Sequence, residues 1–278
     1  MSLFFPDPTE VEIVDNFVSV LGADLHYLEA GSGSRLILLH GASGNAWSWS
    51  KTIASLAKHY YVIAPDHIGF GESDKPLLNY RIDTLVDFLR EFYRVLDLKQ
   101  SILVGHDLGG WIAAALALDC PELVERLVLI DTNPFNTPED ERVKAFHRPV
   151  TRKQTLEYLK ELFFDGDRFV DWQLAERVFR QQIAVDDGYT VQQLARSVHQ
   201  NEDVLDERLS KLKIPTLIIQ GDSDRFVPSL VGTRLHREIE NSQLQIIDKC
   251  GHLPHIEQPQ ALVQSIQAFL SCRGSPKD

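Results

Sequence analysis

The residues best placed to do chemistry stand in the run Val104-Gly105-His106-Asp107-Leu108-Gly109-Gly110. Ser101 to Val104 reads as a short apolar strand, and Trp111 to Leu118 as the start of an Ala-rich helix. In a Gly-x-x-x-Gly turn between strand and helix, the glycines allow close packing and the central residue is forced into a strained, exposed position. Such turns usually carry serine at the centre; this chain carries Asp107. A carboxylate with an ordinary pKa of about 3.9 is ionised at neutral pH and needs no base to activate it. Attack on an ester carbonyl would give only an anhydride. Attack on a saturated carbon bearing a leaving group gives an alkyl ester that water can then cleave.

Three more segments follow apolar runs. Leu38-Leu39-His40-Gly41-Ala42-Ser43-Gly44 can turn backbone N–H groups into a site. Gln220-Gly221-Asp222-Ser223-Asp224-Arg225-Phe226-Val227-Pro228 offers an acid, and Cys250-Gly251-His252-Leu253-Pro254-His255-Ile256-Glu257 a histidine. Asp222 and Asp131 compete with Asp224 for the acid position, and the register from Gly221 to Pro228 favours Asp224. His40 and His106 read as donors that hold their turns, His255 as a supporting or packing residue, and Asp66 as the organiser of its own Gly-rich loop. The ten histidines show no metal-ligand spacing, and Gly31-Ser32-Gly33 is too short for a nucleotide fingerprint. No metal and no cofactor are expected.

The elements that must position these residues alternate between strand and helix. Strand patterns cover Val11 to Val20, Asp24 to Glu29, Arg35 to His40, Tyr61 to Ala64, Ser101 to Val104, Leu127 to Ile130, Thr216 to Gln220 and Leu244 to Ile247. The first two alternate apolar and polar residues about a Gly22-Ala23 turn, as an antiparallel edge hairpin would; later ones are continuously apolar, as central parallel strands are. Helical patterns fall between most of them, for example Ile82 to Leu96 and Gln258 to Leu270. From Thr132 to Lys213 the strand signal disappears into a charged, helical stretch broken by Pro134, Pro138, Pro149 and Asp165-Gly166-Asp167. The reading is a mostly parallel α/β core in residues 1–132 and 214–278, with a helical cap in 133–213 over the carboxyl ends of the strands.

A chain of 278 residues can bury a large core, and 44% hydrophobic with 24% charged residues is ordinary for a globular protein. A net charge of −12 argues against nucleic acid or an anionic membrane surface as partner. Met1 to Glu10 carries acids and prolines where a signal peptide needs a basic start and an apolar run, and no apolar helix is long enough to span a bilayer. Three scattered cysteines (Cys120, Cys250 and Cys272) suit a reducing cytoplasm without disulfides. Composition says nothing of oligomeric state.

Five motifs in register resemble the α/β-hydrolase superfamily over almost the whole chain: the His-Gly turn, Pro65-Asp66-His67-Ile68-Gly69-Phe70-Gly71-Glu72-Ser73, the Asp107 elbow, the Asp224 segment and the Gly251-His252 segment. The resemblance implies an eight-stranded, mostly parallel sheet flanked by helices with an inserted cap. It implies Asp107 as nucleophile, Asp224 as acid, His252 as base and the amides of Ala42 and Leu108 as oxyanion hole. Among relatives with an Asp nucleophile, haloalkane dehalogenases hold the halide with a Trp after the nucleophile and often an Asn after the His-Gly pair. Leu108 and Ala42 stand there and cannot donate from their side chains. Fluoroacetate dehalogenases place arginines where Leu108 and Trp111 stand. Epoxide hydrolases protonate the opening oxygen with two cap tyrosines, for which Tyr158 and Tyr189 are the candidates. The chain departs from that family at Ser43, where a Pro is usual, and at Leu108, where a Trp is usual. Its Gly41-to-Trp47 segment is more similar to serine esterases and carbon–carbon bond hydrolases.

The first expectation is a cofactor-independent epoxide hydrolase taking a small apolar epoxide and water, with Trp47, Trp111 and Trp172 lining the pocket. The alternatives are an ester or carbon–carbon bond hydrolase whose serine is replaced by Asp107, a haloalkane dehalogenase, or a ligand receptor without turnover.

Overall fold

Strands β1 (Val14–Val20) and β2 (Ala23–Gly31) form an antiparallel hairpin whose two-residue turn, Leu21-Gly22, takes positive φ at both positions (53° and 82°). This computed structural model describes residues 11–42, 44–136 and 148–271. Ser43, Pro138 and Cys272, noted above, lie outside them. The other strands are β3 (Arg35–Leu39), β4 (Tyr61–Pro65), β5 (Ser101–His106), β6 (Val124–Ile130), β7 (Thr216–Gly221) and β8 (Ser242–Ile247). They form one eight-stranded sheet in the order β1-β2-β4-β3-β5-β6-β7-β8. From β4 onward along that order every neighbour is parallel, and β2 is antiparallel to both of its neighbours, β1 and β4.

Both faces of the central strands are covered, which is why their sequences run continuously apolar. Ile37, Leu39 and Leu103 point into one core layer, with α2 (Ile82–Val95) and α3 (Leu108–Asp119). Leu36, Leu38, Ile102 and Val104 point into the other, with α1 (Ser50–Leu56) and a C-terminal helix, Pro259–Ser271. This is the period-two alternation of a strand sandwiched between two helical layers. Helix α3 is buried almost all round, and its glycines set how closely it approaches. A Cβ at Gly109 would lie 2.4 Å from the Leu39 carbonyl oxygen, and one at Gly105 would lie 2.3 Å from the Gly109 carbonyl oxygen. Those two contacts bring β3, β5 and the start of α3 together.

Between β6 and β7 the described residues contain no strand. They form α4 (Arg152–Glu161), α5 (Gly166–Phe169), α6 (Trp172–Val185) and α7 (Gly188–His199). Thr151 caps α4 by accepting from the Gln154 N–H at 3.2 Å, and Asp171 caps α6 by accepting from the Leu174 N–H at 2.7 Å. A third apolar cluster glues α4 and α6 to the loops after β7 and β8, joining Leu159, Phe163 and Leu174 to Phe226, Leu253 and Ile256. Helix α7 docks elsewhere: its Val191, Leu194 and Val198 join the first core layer, as do Phe135, Leu205 and Leu209 at the two ends of the insertion. The chain closes with α8 (Ser229–Glu238), the short α9 (Pro254–Glu257) and α10 (Pro259–Ser271). No helix among the described residues is long and apolar enough to cross a membrane.

Candidate active site

Asp107 follows β5 directly and takes φ 49°, ψ −115°, a sparsely populated backbone conformation that costs about 1–3 kcal/mol. Hydrogen bonds hold it there from three sides. Its N–H donates to the Ile130 carbonyl (2.9 Å), and its carbonyl accepts from the Gly110 N–H (3.0 Å) and from the Thr132 hydroxyl (2.6 Å). The turn aims the carboxylate into a cavity beneath the inserted helices. Its Oδ2 accepts from the Ala42 N–H at 2.9 Å, and the Leu108 N–H also donates to the carboxylate. Burial pushes the Asp107 pKa up, and the nearby His252 with these two amides counters part of that rise.

His252 reaches the same cavity from the loop after β8. Its Nδ1 donates to Asp224 Oδ2 at 2.8 Å, while Asp224 Oδ1 accepts from the Phe226 and Val227 N–H groups at 2.7 and 3.0 Å. The backbone of His252 is pinned too: its N–H donates to the Leu162 carbonyl and its carbonyl accepts from His106 Nε2. Burial lowers the imidazole pKa, but the charge and hydrogen bond of Asp224, together with the charge of Asp107, outweigh it and raise the value to about 9. Asp222 turns away, accepting from the Cys250 N–H and from the Ser223 hydroxyl. Asp131 lies beside Asp224 but makes no direct hydrogen bond to the imidazole; its Oδ1 accepts from the Gly221 N–H. The acid paired with His252 is therefore Asp224.

The supporting histidines hold backbone. His40 Nδ1 donates to the Gly41 carbonyl, and its Nε2 accepts from the His67 N–H. Asp66 ties three loops together by accepting from His26 Nδ1 and from the N–H groups of Ala46 and Glu72. His255 borders the cavity itself, its ring tilted at 35° against Trp49 with its Nδ1 unpartnered. Burial lowers its pKa to about 3, so this ring is neutral.

The roof of the cavity comes from two helices: Tyr158, Leu159 and Leu162 on and just after α4, and Val178, Gln181, Gln182 and Val185 on α6. Of the two candidate tyrosines the structure brings only Tyr158 to the nucleophile, half-buried, its ring edge-on to Phe226. Tyr189 stands at the start of α7, 40% exposed, against Tyr80 and off the cavity wall. The expectation that three tryptophans line the pocket needs correction. Trp111 is buried on the core side of α3, its indole N–H donating to the Asp203 carbonyl at 3.0 Å. Trp47 packs against the second core layer, and Trp172 is 56% exposed at the first position of α6. The glutamines and Asp187, which do border the cavity, give no signal in the sequence beyond ordinary helical polarity.

The fold and this arrangement define an α/β hydrolase. The family described as "alpha/beta hydrolase fold" matches residues 34–259, and the chain belongs to it. Over 275 residues the chain is 30% identical to a 2-hydroxy-6-oxo-6-(2'-aminophenyl)hexa-2,4-dienoic acid hydrolase of Metapseudomonas resinovorans, covering 96% of this chain and 94% of that protein. It is 27% identical over 283 residues to a soluble epoxide hydrolase of a Corynebacterium species, covering 94% and 98%. Among solved structures, a meta-cleavage product hydrolase of Pseudomonas fluorescens superposes with a TM-score of 0.85 at 28% identity, covering 92% and 97%.

The His252 ion pair has a signature in titration. Its pKa is raised above the ordinary 6.5, so the stability it contributes is complete below about pH 6.5 and is lost as pH rises through about 9. Imidazole nitrogen NMR should find the His252 midpoint near 9, and Asp224→Asn should lower it by at least a unit. A wild-type midpoint at or below 6.5 would contradict the ion pair.

Proposed function

We propose that this protein hydrolyses epoxides through a covalent ester on Asp107, cleaved by water that His252 and Asp224 activate. The observation that carries the reading is the Asp107 Oδ2 held at 2.9 Å by the Ala42 amide, with the Leu108 amide also on the carboxylate. With a serine nucleophile, those two donors would receive the substrate's carbonyl oxygen. Here both donate to the carboxylate of the nucleophile itself, the Ala42 N–H to its Oδ2. That oxygen is where charge develops when water attacks Cγ of an alkyl-Asp107 ester, so the donors are preorganised for ester hydrolysis.

The protons balance over the cycle. At rest Asp107 is a carboxylate and His252 an imidazolium. The free oxygen of Asp107 attacks an epoxide carbon and the C–O bond breaks; Tyr158 gives its hydroxyl proton to the departing oxygen and is reprotonated from His252. Asp107 is now an uncharged ester, so one of the charges raising the His252 pKa has gone and the ring can act as base. His252 takes a proton from water, the hydroxide adds to Cγ, and the ester collapses to release the diol. The resting ion pair is restored.

The likeness to carbon–carbon bond hydrolases supports a second reading, an ester or carbon–carbon bond hydrolase scaffold in which Asp107 stands for serine. The cavity chemistry weighs against a substrate like that of the Metapseudomonas relative, whose name specifies a dienoic acid. No Lys or Arg borders the cavity among the described residues, and Asp187 does. Because Asp187 is paired with Arg148, a carboxylate substrate would find no free cationic side chain on this wall, whereas a neutral epoxide meets leucine, valine and amide side chains. Halide release has no side-chain donor at Leu108 or Ala42.

His252→Gln incubated with styrene oxide should gain the mass of one whole epoxide, mapped to the peptide carrying Asp107. No adduct from a panel of epoxides, together with strong activated-ester hydrolysis by Asp107→Ser, would move the assignment to the second reading. The single tyrosine at the nucleophile makes a separate forecast: Tyr158→Phe slows alkylation by about 100-fold or more, while Tyr189→Phe leaves it unchanged. Equal losses in the two variants would return Tyr189 to the site.

A further inference from the structure

Beside the acid–histidine pair lies a carboxyl group that the cycle above does not use. Asp131 follows β6 directly, takes φ 42° and is 1% exposed. Its N–H donates to the Ile219 carbonyl at 3.0 Å, and its Oδ1 accepts from the Gly221 N–H at 2.9 Å. Its Oδ2 is buried and has no hydrogen bond of normal geometry. The side chain it approaches is Asp224, which has three donors of its own: His252 Nδ1 and the Phe226 and Val227 N–H groups.

Two carboxyl groups in contact and shielded from water do not both ionise. The donors decide which keeps the charge. Asp224, with three, is held as the carboxylate. Asp131, with one donor and a bare second oxygen, is the group that gains by carrying a proton, because an unpaired buried charge costs several kcal/mol. The acceptor within its reach is Asp224.

We propose that Asp131 is a positioning residue held as a neutral carboxylic acid, its Oδ2 proton shared with Asp224, so that the two side chains present one negative charge to His252. The consequence is a tempered base. A doubly charged pair would hold the imidazolium proton too firmly for release after Asp107 is esterified; a single shared charge orients the ring and still lets it turn over. The other groups around the pair are consistent with one charge there. Burial keeps the Cys250 thiol and the Tyr158 hydroxyl protonated and the His106 and His255 rings neutral; Asp107 and His252 are the charges in the cavity, and Asp222 and Glu257 accept from the Cys250 and Gly251 N–H groups of the neighbouring loop. The proposal rests on Asp224 and His252 as the hydrolytic pair, and it needs no epoxide.

The test follows the His252 titration by imidazole nitrogen NMR in Asp131→Asn, which keeps the shape and a donor for Asp224. The expected result is a midpoint unchanged from wild type. If Asp131 were ionised, the substitution would remove a negative charge beside the ring and lower the midpoint by about 1–3 units, which overturns the proposal. Asp131→Leu removes the donor to Asp224 and should raise the midpoint; a fall would overturn it equally. Should either variant fail to fold, infrared spectra of the Asp107→Asn protein carrying labelled aspartate decide the matter at pH 7.5. A protonated carboxyl band is expected, and its absence refutes the shared proton. Failure of epoxide alkylation would leave all of these results standing.

Discussion

Everything in the site depends on keeping a carboxylate charged where water is scarce. Asp107 is 8% exposed in a strained turn, and burial alone would favour its neutral form. Three features oppose that: the amides of Ala42 and Leu108, the N-terminal end of α3 that begins at Leu108, and the imidazolium of His252. They come from three separate segments, the Ala42 turn after β3, the start of α3 after β5 and the His252 loop after β8, so the sheet must bring the carboxyl ends of those strands together before the charge is tolerable. The close contacts at Gly105 and Gly109 set that approach.

The inserted helices complete the site in two ways. They remove solvent from above Asp107, and the Leu162 carbonyl at the end of α4 receives the N–H of His252. The lid is therefore joined to the backbone of the proposed base. The wall it supplies is apolar except for Tyr158, the two glutamines and Asp187, and Asp187 is already paired with Arg148. Such a wall suits a neutral substrate whose reacting end lies against Asp107.

Much of this was legible from residue order. Strands buried on both faces carry unbroken apolar runs, so β3 to β7 stand out, and the turns after β5 and β7 announce Asp107 and Asp224, while His252 follows the edge strand β8. The edge strand β8 starts at Ser242, two residues before its apolar run, because its alternate residues face solvent. The first strand starts at Val14, three residues later than its pattern, and β6 starts at Val124, three residues earlier. What residue order does not contain is the docking of helices. Tyr158 and Tyr189 are equivalent as types, and only the seating of α4 over the elbow and of α7 on the core layer separates them. The tryptophans show the same limit: Trp111 stands in the first turn of α3 beside the nucleophile yet faces inward. The rivalry between Asp131 and Asp224 is settled by which carboxylate receives His252 Nδ1, a property of loop geometry rather than of residue identity.

The central claim is that the oxygen added to the product comes from Asp107 and that water enters at the Asp107 carboxyl. A single turnover in ¹⁸O-labelled water, with enzyme in excess over styrene oxide, tests this directly. The account predicts label in the peptide bearing Asp107 and none in the first diol released. Label in that diol, with the Asp107 peptide unlabelled, would mean that water attacks the epoxide itself, and the covalent route would be wrong.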